Sequence, residues 1–368
     1  MRARELGITV GSLPPGEHNA ITDVAGVRVG HTTLVEGDAT RTGVTVVVPH
    51  DGDVWGDGVY AGHHRLNGNG EMTGLPGLEE VGLLHSPIGL TNTHSVGVVR
   101  DALVALEVER RPEGVETWAL PVVAETWDGE LNDVDGFHVT AAHARAAYLA
   151  AADGPVAEGS VGGGTGMTSH EFKAGIGTAS RRVPCPSTGT DQDTWTVGVL
   201  VQANHGRRER FTVNGVPVGL DVGVDVIPGV ASRRPPGSGS IIVVVATDTP
   251  LLPLQCRRLA QRCSLGVART GGVGENSSGD LFLAVSTGNR GMAGLGADAP
   301  AVATVRTVAN AAMTPLFDAV VEATEEAILN SILAASTMTG KNGTTAHALD
   351  HDLLLATLAR YGRPATPP

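Results

Sequence analysis

The chain has 368 residues, 41% hydrophobic and 18% charged, so it can bury a sizeable core, and its length fits one large domain or two. Fifty glycines and 21 prolines beside 3% aromatic residues describe many tight turns between short elements. A net charge of -13 with no lysine or arginine block argues against a nucleic-acid partner, and no apolar run is long enough to span a membrane.

Met1 to Ser12 lacks the apolar core of a signal peptide, so a cytoplasmic protein is the expectation. Asn19 to Thr33, N-A-I-T-D-V-A-G-V-R-V-G-H-T-T, predicts a short strand through Val24, Val27 and Val29, and Gly43 to His50 predicts a second strand paired with it. Tyr60 to Thr93 reads as a long turn-rich loop carrying N-G-N-G-E-M-T-G (Asn67 to Gly74) and T-N-T-H (Thr91 to His94), a kind of segment more often ligand-facing than idle. His63, His64, His85 and His94 have no H-E-x-x-H spacing and no tight carboxylate partner, so they are read as structural and no metal site is expected.

Val98 to Arg110 has helical apolar spacing, and Leu120 to Val123 resumes a strand. The segment E-T-W-D-G-E-L-N-D (Glu125 to Asp133) then sets several carboxylates at a strand end, where one can pair with a substrate ammonium or where all can form a solvated acidic turn. Val139 to Ala152 reads as an alanine-rich helix. The glycine run of Ser160 to Ser169 lacks the spacing of a nucleotide site and reads as tight turning. Phe172 to Ala179 and Thr194 to Ala203 continue the strand pattern, which leaves Asn204 at the end of an apolar strand, where its amide is either a turn residue or an oxyanion donor. Arg207 to Arg234 suggests a valine-rich hairpin running into a polar linker.

Pro235 to Asp248, P-P-G-S-G-S-I-I-V-V-V-A-T-D, organises the rest. Its loop residues stop at Ser240, and Ile241 to Ala246 form an unbroken apolar run typical of a strand buried on both faces. Gly239 has the backbone freedom to turn its carbonyl onto the Ser240 oxygen, which suits a serine that cleaves the preceding peptide and then carries both hydroxyl and α-amine. Locally, the same pattern also fits a Gly/Ser-rich loop before an ordinary strand. A helix follows from Thr249 with Pro250 in its first turn, then a polar loop (Ala268 to Asp280), a strand (Leu281 to Thr287) and helices over Ala301 to Ala312 and Pro315 to Ala335. Cys185, Cys256 and Cys263 have neither metal nor redox spacing and read as small buried hydrophobes.

N-A-I-T-D-V-A-G-V-R-V-G-H-T, E-T-W-D-G-E-L-N-D, V-Q-A-N (Val201 to Asn204), G-S-G-S-I-I-V (Gly237 to Val243), A-R-T-G (Ala268 to Gly271) and T-M-T-G (Thr337 to Gly340) together resemble the L-aminopeptidase/D-amidase-esterase and β-peptidyl aminopeptidase family, in the family's order and over nearly the whole chain. The resemblance implies an α+β fold, a four-layer α-β-β-α sandwich similar to the Ntn hydrolases in its layers but with different connectivity. It implies one domain over 1–368, autocleaved between Gly239 and Ser240 into 1–239 and 240–368, which stay associated. Ser240 would be the nucleophile, Asn204 the oxyanion donor and Glu125 the carboxylate that holds the substrate's free amine, while Ser278 with Asp280 would orient the nucleophile. Trp127 stands where some members have tyrosine, so a phenol role there is lost or moved, and the preference among L-, D- and β-amino acids stays open.

By the same resemblance the substrate is a small peptide, amide or ester with a free amine, no cofactor or metal is needed, and the processed heterodimers form a homo-oligomer of four or more. Two alternatives stay open: a pantetheine-type amide hydrolase or ornithine-acetyltransferase-like enzyme on the same fold, and an unprocessed, non-catalytic binding protein.

Overall fold

The computed structural model describes residues 1–114, 116, 118–185, 194–230, 239–291 and 302–366. Its strands are β1 (Arg28–Glu36), β2 (Thr40–Val48), β3 (Val59–Gly68), β4 (Leu83–Leu84), β5 (Ile88–Asn92), β6 (Val122–Thr126), β7 (Thr168–Ser169), β8 (Phe172–Lys173), β9 (Ile176–Pro184), β10 (Thr194–Asn204), β11 (Gly239–Thr247), β12 (Ser278–Ser286), β13 (Met338–Thr339) and β14 (Thr345–Ala346). The helices are α1 (Leu75–Val81), α2 (Val96–Arg110), α3 (Ala141–Leu149), α4 (Val218–Asp221), α5 (Pro253–Arg269), α6 (Thr314–Leu333) and α7 (His351–Arg360). Four strands form one sheet in the order β1-β2-β5-β6, and six form a second in the order β4-β3-β12-β11-β10-β9.

The alternation along β11 shows how the layers stack. Ile241, Val243 and Val245 pack with α5 and α6, whereas Ile242, Val244 and Ala246 pack with Val47, Ile88, Leu90 and Ala124 of the smaller sheet. On the far side of that sheet, Val44, Val46, Val48 and Val123 pack with Val99, Leu103 and Ala147 of α2 and α3. The result is the α-β-β-α sandwich. Burying an Ile or Val side chain stabilises by roughly 1.5–3 kcal/mol, and β11 has such side chains on both faces, which explains its unbroken apolar run. With both faces apolar, alternation does not set the strand's register; the hydrogen-bonded ladders do. β11 runs antiparallel to β10 and parallel to β12, and α5 supplies the crossover that parallel neighbours require. β5 and β6 are likewise parallel, with α2 between them.

Several expected elements fall differently. The stretch from Tyr60 to Thr93 is no loop: it holds β3, α1, β4 and β5, because pairing of β3 with β12 outweighs its polar composition. The strand expected at Leu120 to Val123 is β6, shifted so that Glu125 lies within it. Phe172 to Ala179 is divided between the short β8 and β9. The expected valine-rich hairpin is reduced to a bridge between Val213 and Val216 followed by α4, and residues 231–238 of the linker lie outside the described residues.

α5 starts at Pro253 rather than near Pro250. The intervening segment is extended and tied down by hydrogen bonds from Leu251 N to the Ser286 hydroxyl and from Val308 N to Pro250 O. Of the helix expected over 301–312, the described residues form only a 3-10 turn at Asn310–Ala312. Asn289 pairs through its side-chain amide with both backbone groups of Arg306, and Gln255 donates to Val308 O, so neighbours satisfy this segment's backbone in an extended form. The C-terminal helix α7, with its Asp350 side-chain cap on Leu353 N, lies beyond the elements that the sequence pattern predicts. No helix among the described residues is long and apolar enough to cross a membrane. Cys256 and Cys263 are core residues whose thiols burial pushes up, Cys263 to about 12, and Cys185 is half-buried.

Candidate active site

Ser240 is the second residue of β11. It faces Asn204, the last residue of β10, in the antiparallel ladder and lies beside Gly279 of β12 in the parallel one. It is 4% exposed, and its hydroxyl donates to the Gly239 carbonyl oxygen at 2.6 Å. The hydroxyl thus rests on the peptide group it would attack. The expectation that Gly239 supplies unusual backbone angles is not met, since its φ is not positive. The position needs glycine for space: a Cβ there would lie 2.3 Å from the Asn204 carbonyl oxygen and 2.9 Å from His205 Cα.

Asn204 is buried with its amide fixed at both ends. Thr168 N donates to Oδ1 at 3.0 Å, and Nδ2 donates to the Trp127 carbonyl at 2.8 Å. An amide nitrogen carries two hydrogens, so one Nδ2 donor remains for a ligand at Ser240. Trp127 thus meets Asn204 through its backbone carbonyl, while its ring meets His94 edge-on at 5.9 Å.

Ser278 begins β12 beside Gly239, and its hydroxyl donates to Asp280 Oδ1 at 2.7 Å. Burial raises the Asp280 carboxyl to about 6, helped by the nearby Glu275 charge and opposed by hydrogen bonds from Ser278 and the Ile241 backbone. By strand alternation Ser278 and Asp280 share the face of Phe282, whereas Ser240 shares the face of Ile242. Among the described residues no side-chain hydrogen bond joins them to the Ser240 hydroxyl, so the structure brings this pair alongside the Gly239–Ser240 bond rather than onto the hydroxyl. No histidine hydrogen-bonds Ser240 either, and burial holds neighbouring His205 well below the usual imidazole range.

Glu125 reaches the site across two glycines. Gly279, beside Ser240, abuts Gly70: a Cβ on Gly70 would lie 3.1 Å from both Gly279 Cα and Glu125 Oε1. This close approach gives the N-G-N-G motif its purpose. Glu125 is buried, with Oε1 accepting from Glu71 N at 3.1 Å and Oε2 from the Thr93 hydroxyl. Thr93 and Glu71 belong to the two segments that the sequence marked as ligand-facing without a role.

Residues missed at the sequence level include Asp128, Thr168 and Lys173. Asp128 is fully buried, accepts from Asn92 Nδ2 and Asn132 Nδ2 at 3.1 Å each, and is raised to about 6 by burial despite those bonds. It anchors the segment that presents the Trp127 carbonyl. The acidic cluster marked the segment, but composition does not say which carboxylate turns inward.

A serine at the head of a central strand, set beside a side-chain amide in a four-layer α-β-β-α sandwich, defines a serine hydrolase of the Ntn-like architecture. The model of "Peptidase family S58" matches residues 19–346. The chain is 47% identical to the β-peptidyl aminopeptidase BapA of Sphingosinicella microcystinivorans, over 98% of this chain and 93% of that protein. Among solved structures, a Burkholderia sp. β-aminopeptidase superposes with TM-score 0.89 at 51% identity, covering 98% and 99% of the two chains. The L-aminopeptidase D-Ala-esterase/amidase of Ochrobactrum anthropi, described as a prototype serine aminopeptidase and a variant of the Ntn hydrolase fold, superposes with TM-score 0.89 at 42% identity over 99% of each chain. The protein belongs to peptidase family S58.

Proposed function

We propose that the chain matures by cutting its own Gly239–Ser240 bond and then acts as an N-terminal-serine aminopeptidase and amidase. The observation that carries this reading is the Ser240 hydroxyl lying 2.6 Å from the Gly239 carbonyl oxygen and opposite Asn204. In maturation Ser240 Oγ attacks the Gly239 carbonyl carbon and its proton passes to the departing Ser240 nitrogen. The C–N bond breaks, leaving an ester, and water cleaves the ester to a Gly239 carboxylate and a free Ser240. Asn204, opposite Ser240 in the ladder, would give its second Nδ2 hydrogen to the oxygen that becomes negative. The Ser278–Asp280 pair orients the peptide from the adjacent strand.

The fragments have reason to remain together. Residues 240–368 retain β11 and β12, flanked by β10 and β3 of residues 1–239, and both faces of β11 stay buried.

In turnover, the new α-amine accepts the Ser240 proton as Oγ attacks the substrate carbonyl; an unperturbed α-amine has a pKa of about 7.7–8.0, suited to a base near pH 8. That proton then goes to the leaving amine, and water releases the acyl group. Glu125 pairs with the substrate ammonium, which makes the enzyme an exopeptidase. Similarity to two β-aminopeptidases supports acceptance of N-terminal β-amino acids. The test is the purified chain on a gel: the 37.7 kDa precursor should yield fragments of about 24 and about 13 kDa, prorated by length, the smaller beginning Ser-Ile-Ile-Val, while Ser240→Ala stays whole. A different new N-terminus, or an uncleaved chain that hydrolyses alanyl p-nitroanilide, sinks the reading.

A further inference from the structure

Thr168, whose N–H orients Asn204, opens a small hairpin in which Ser169 faces Phe172 and the turn residues His170 (φ 49) and Glu171 (φ 61) are both left-handed. That is a type I′ turn, which asparagine and glycine favour and which strains other residues. Two buried cations hold it. Arg208, stacked 3.4 Å over the Phe172 ring, donates Nε to His170 O at 2.9 Å and Nη2 to Glu171 O at 2.8 Å, while Nη1 reaches Ile227 O at 2.9 Å. Lys173, fully buried, donates Nζ to Met167 O at 2.8 Å and to Ala174 O at 2.5 Å.

Neither cation forms an ion pair among the described residues. Both satisfy their donors on backbone carbonyls, and Arg208 adds its stack on Phe172. What they supply is direction, because their donors converge on the turn and on both ends of the hairpin. Burial lowers the Lys173 amine to about 7, yet it keeps at least two N–H donors in either protonation state, so the clamp does not depend on its charge.

We infer that Lys173 and Arg208 are positioning residues for catalysis: they clamp the hairpin so that Thr168 N–H, with the Trp127 carbonyl, locks the Asn204 amide with one Nδ2 hydrogen toward Ser240. A flipped amide would set donor against donor and acceptor against acceptor. The inference rests on Asn204 being the oxyanion donor proposed above.

Lys173→Met tests it. An oxyanion donor is used only in the transition state, so kcat for alanyl p-nitroanilide should fall about tenfold or more with KM within about twofold, and Lys173→Arg should recover most of the loss. Self-cleavage should slow in parallel. Arg208→Lys keeps the charge but loses the fork on the turn, should show the same split, and replaces Lys173→Met if that variant does not fold. Unchanged kcat in the folded variant overturns the inference; so does a joint worsening of kcat and KM in step with a lowered Tm, the mark of a purely structural role. The underlying reading fails separately: a matured Asn204→Ala enzyme with unchanged kcat removes Asn204, whereas an impaired Asn204→Ala beside a normal Lys173→Met sinks only the clamp.

Discussion

Gly239→Ala should stall self-cleavage while leaving most of the fold in place. The new Cβ would lie 2.3 Å from the Asn204 carbonyl oxygen and 2.9 Å from His205 Cα, and both are backbone atoms that cannot swing aside. Ordinary contact begins near 3.4 Å, so β10 and β11 must part by about 1 Å at the Ser240–Asn204 pair. Overpacking of this kind costs about 1–3 kcal/mol, and a displacement of about 1 Å between reacting groups costs roughly 10²-fold in rate. A time course of newly translated precursor on a gel, beside a thermal unfolding curve, reads both effects. The expected result is cleavage slowed about 100-fold with a modest fall in Tm. Gly97→Ala is the control: its Cβ meets nothing within 4 Å, it lies in α2, and it should cleave at the wild-type rate with helix stability raised by up to about 1 kcal/mol. Wild-type cleavage in Gly239→Ala would refute the claim that close approach at Gly239 aligns nucleophile and amide.

Three further outcomes are expected. Asn204→Ala, where it matures, should lower kcat by about 10²–10³ with a smaller change in KM, measured on amino-acid p-nitroanilides. An N-acetylated substrate brings neither charge nor ammonium donors to the buried Glu125, so acetyl-alanyl p-nitroanilide should react orders of magnitude more slowly than the free amine, and Glu125→Gln should shrink that difference; similar wild-type rates on the two would remove Glu125 from its role. The Asp280 carboxyl, raised from 3.8 to about 6, protonates as pH falls through 6 and then no longer accepts as a carboxylate from Ser278, so self-cleavage should slow below that pH and Asp280→Asn should be slow and flat across it. The stability sign is opposite: a raised carboxyl adds stability that is complete below 3.8 and lost as pH rises through 6, so Asp280→Asn should be no less stable than the wild type at pH 8 by thermal unfolding.

Much of the architecture could be read directly from the sequence, because apolar patterning reports burial. The run Ile241 to Ala246 announced a strand covered on both faces, Thr194 to Ala203 its neighbour, and Pro315 to Ala335 the long helix against them. Motifs in order, rather than any single residue, pointed to Ser240, Asn204, Glu125, Ser278 and Asp280. Where patterning misled, neighbours had taken over the backbone: Asn289, Gln255 and Pro250 hold the segment expected to be helical before residue 312, and β12 recruits the polar β3.

Only the tertiary structure settled how those residues meet. An apolar strand with two buried faces carries no register of its own, so the pairing of Ser240 with Asn204 depends on a ladder between segments 36 residues apart and on the missing Cβ at Gly239. The same holds for the residues around the amide. Thr168, Trp127, Asp128, Lys173 and Arg208 act through backbone carbonyls, backbone N–H groups and buried charges, none of which leaves a periodic trace. Local composition records which residues prefer burial; which buried charge faces which carbonyl is decided by long-range packing, and the orientation of the Asn204 amide depends on that packing.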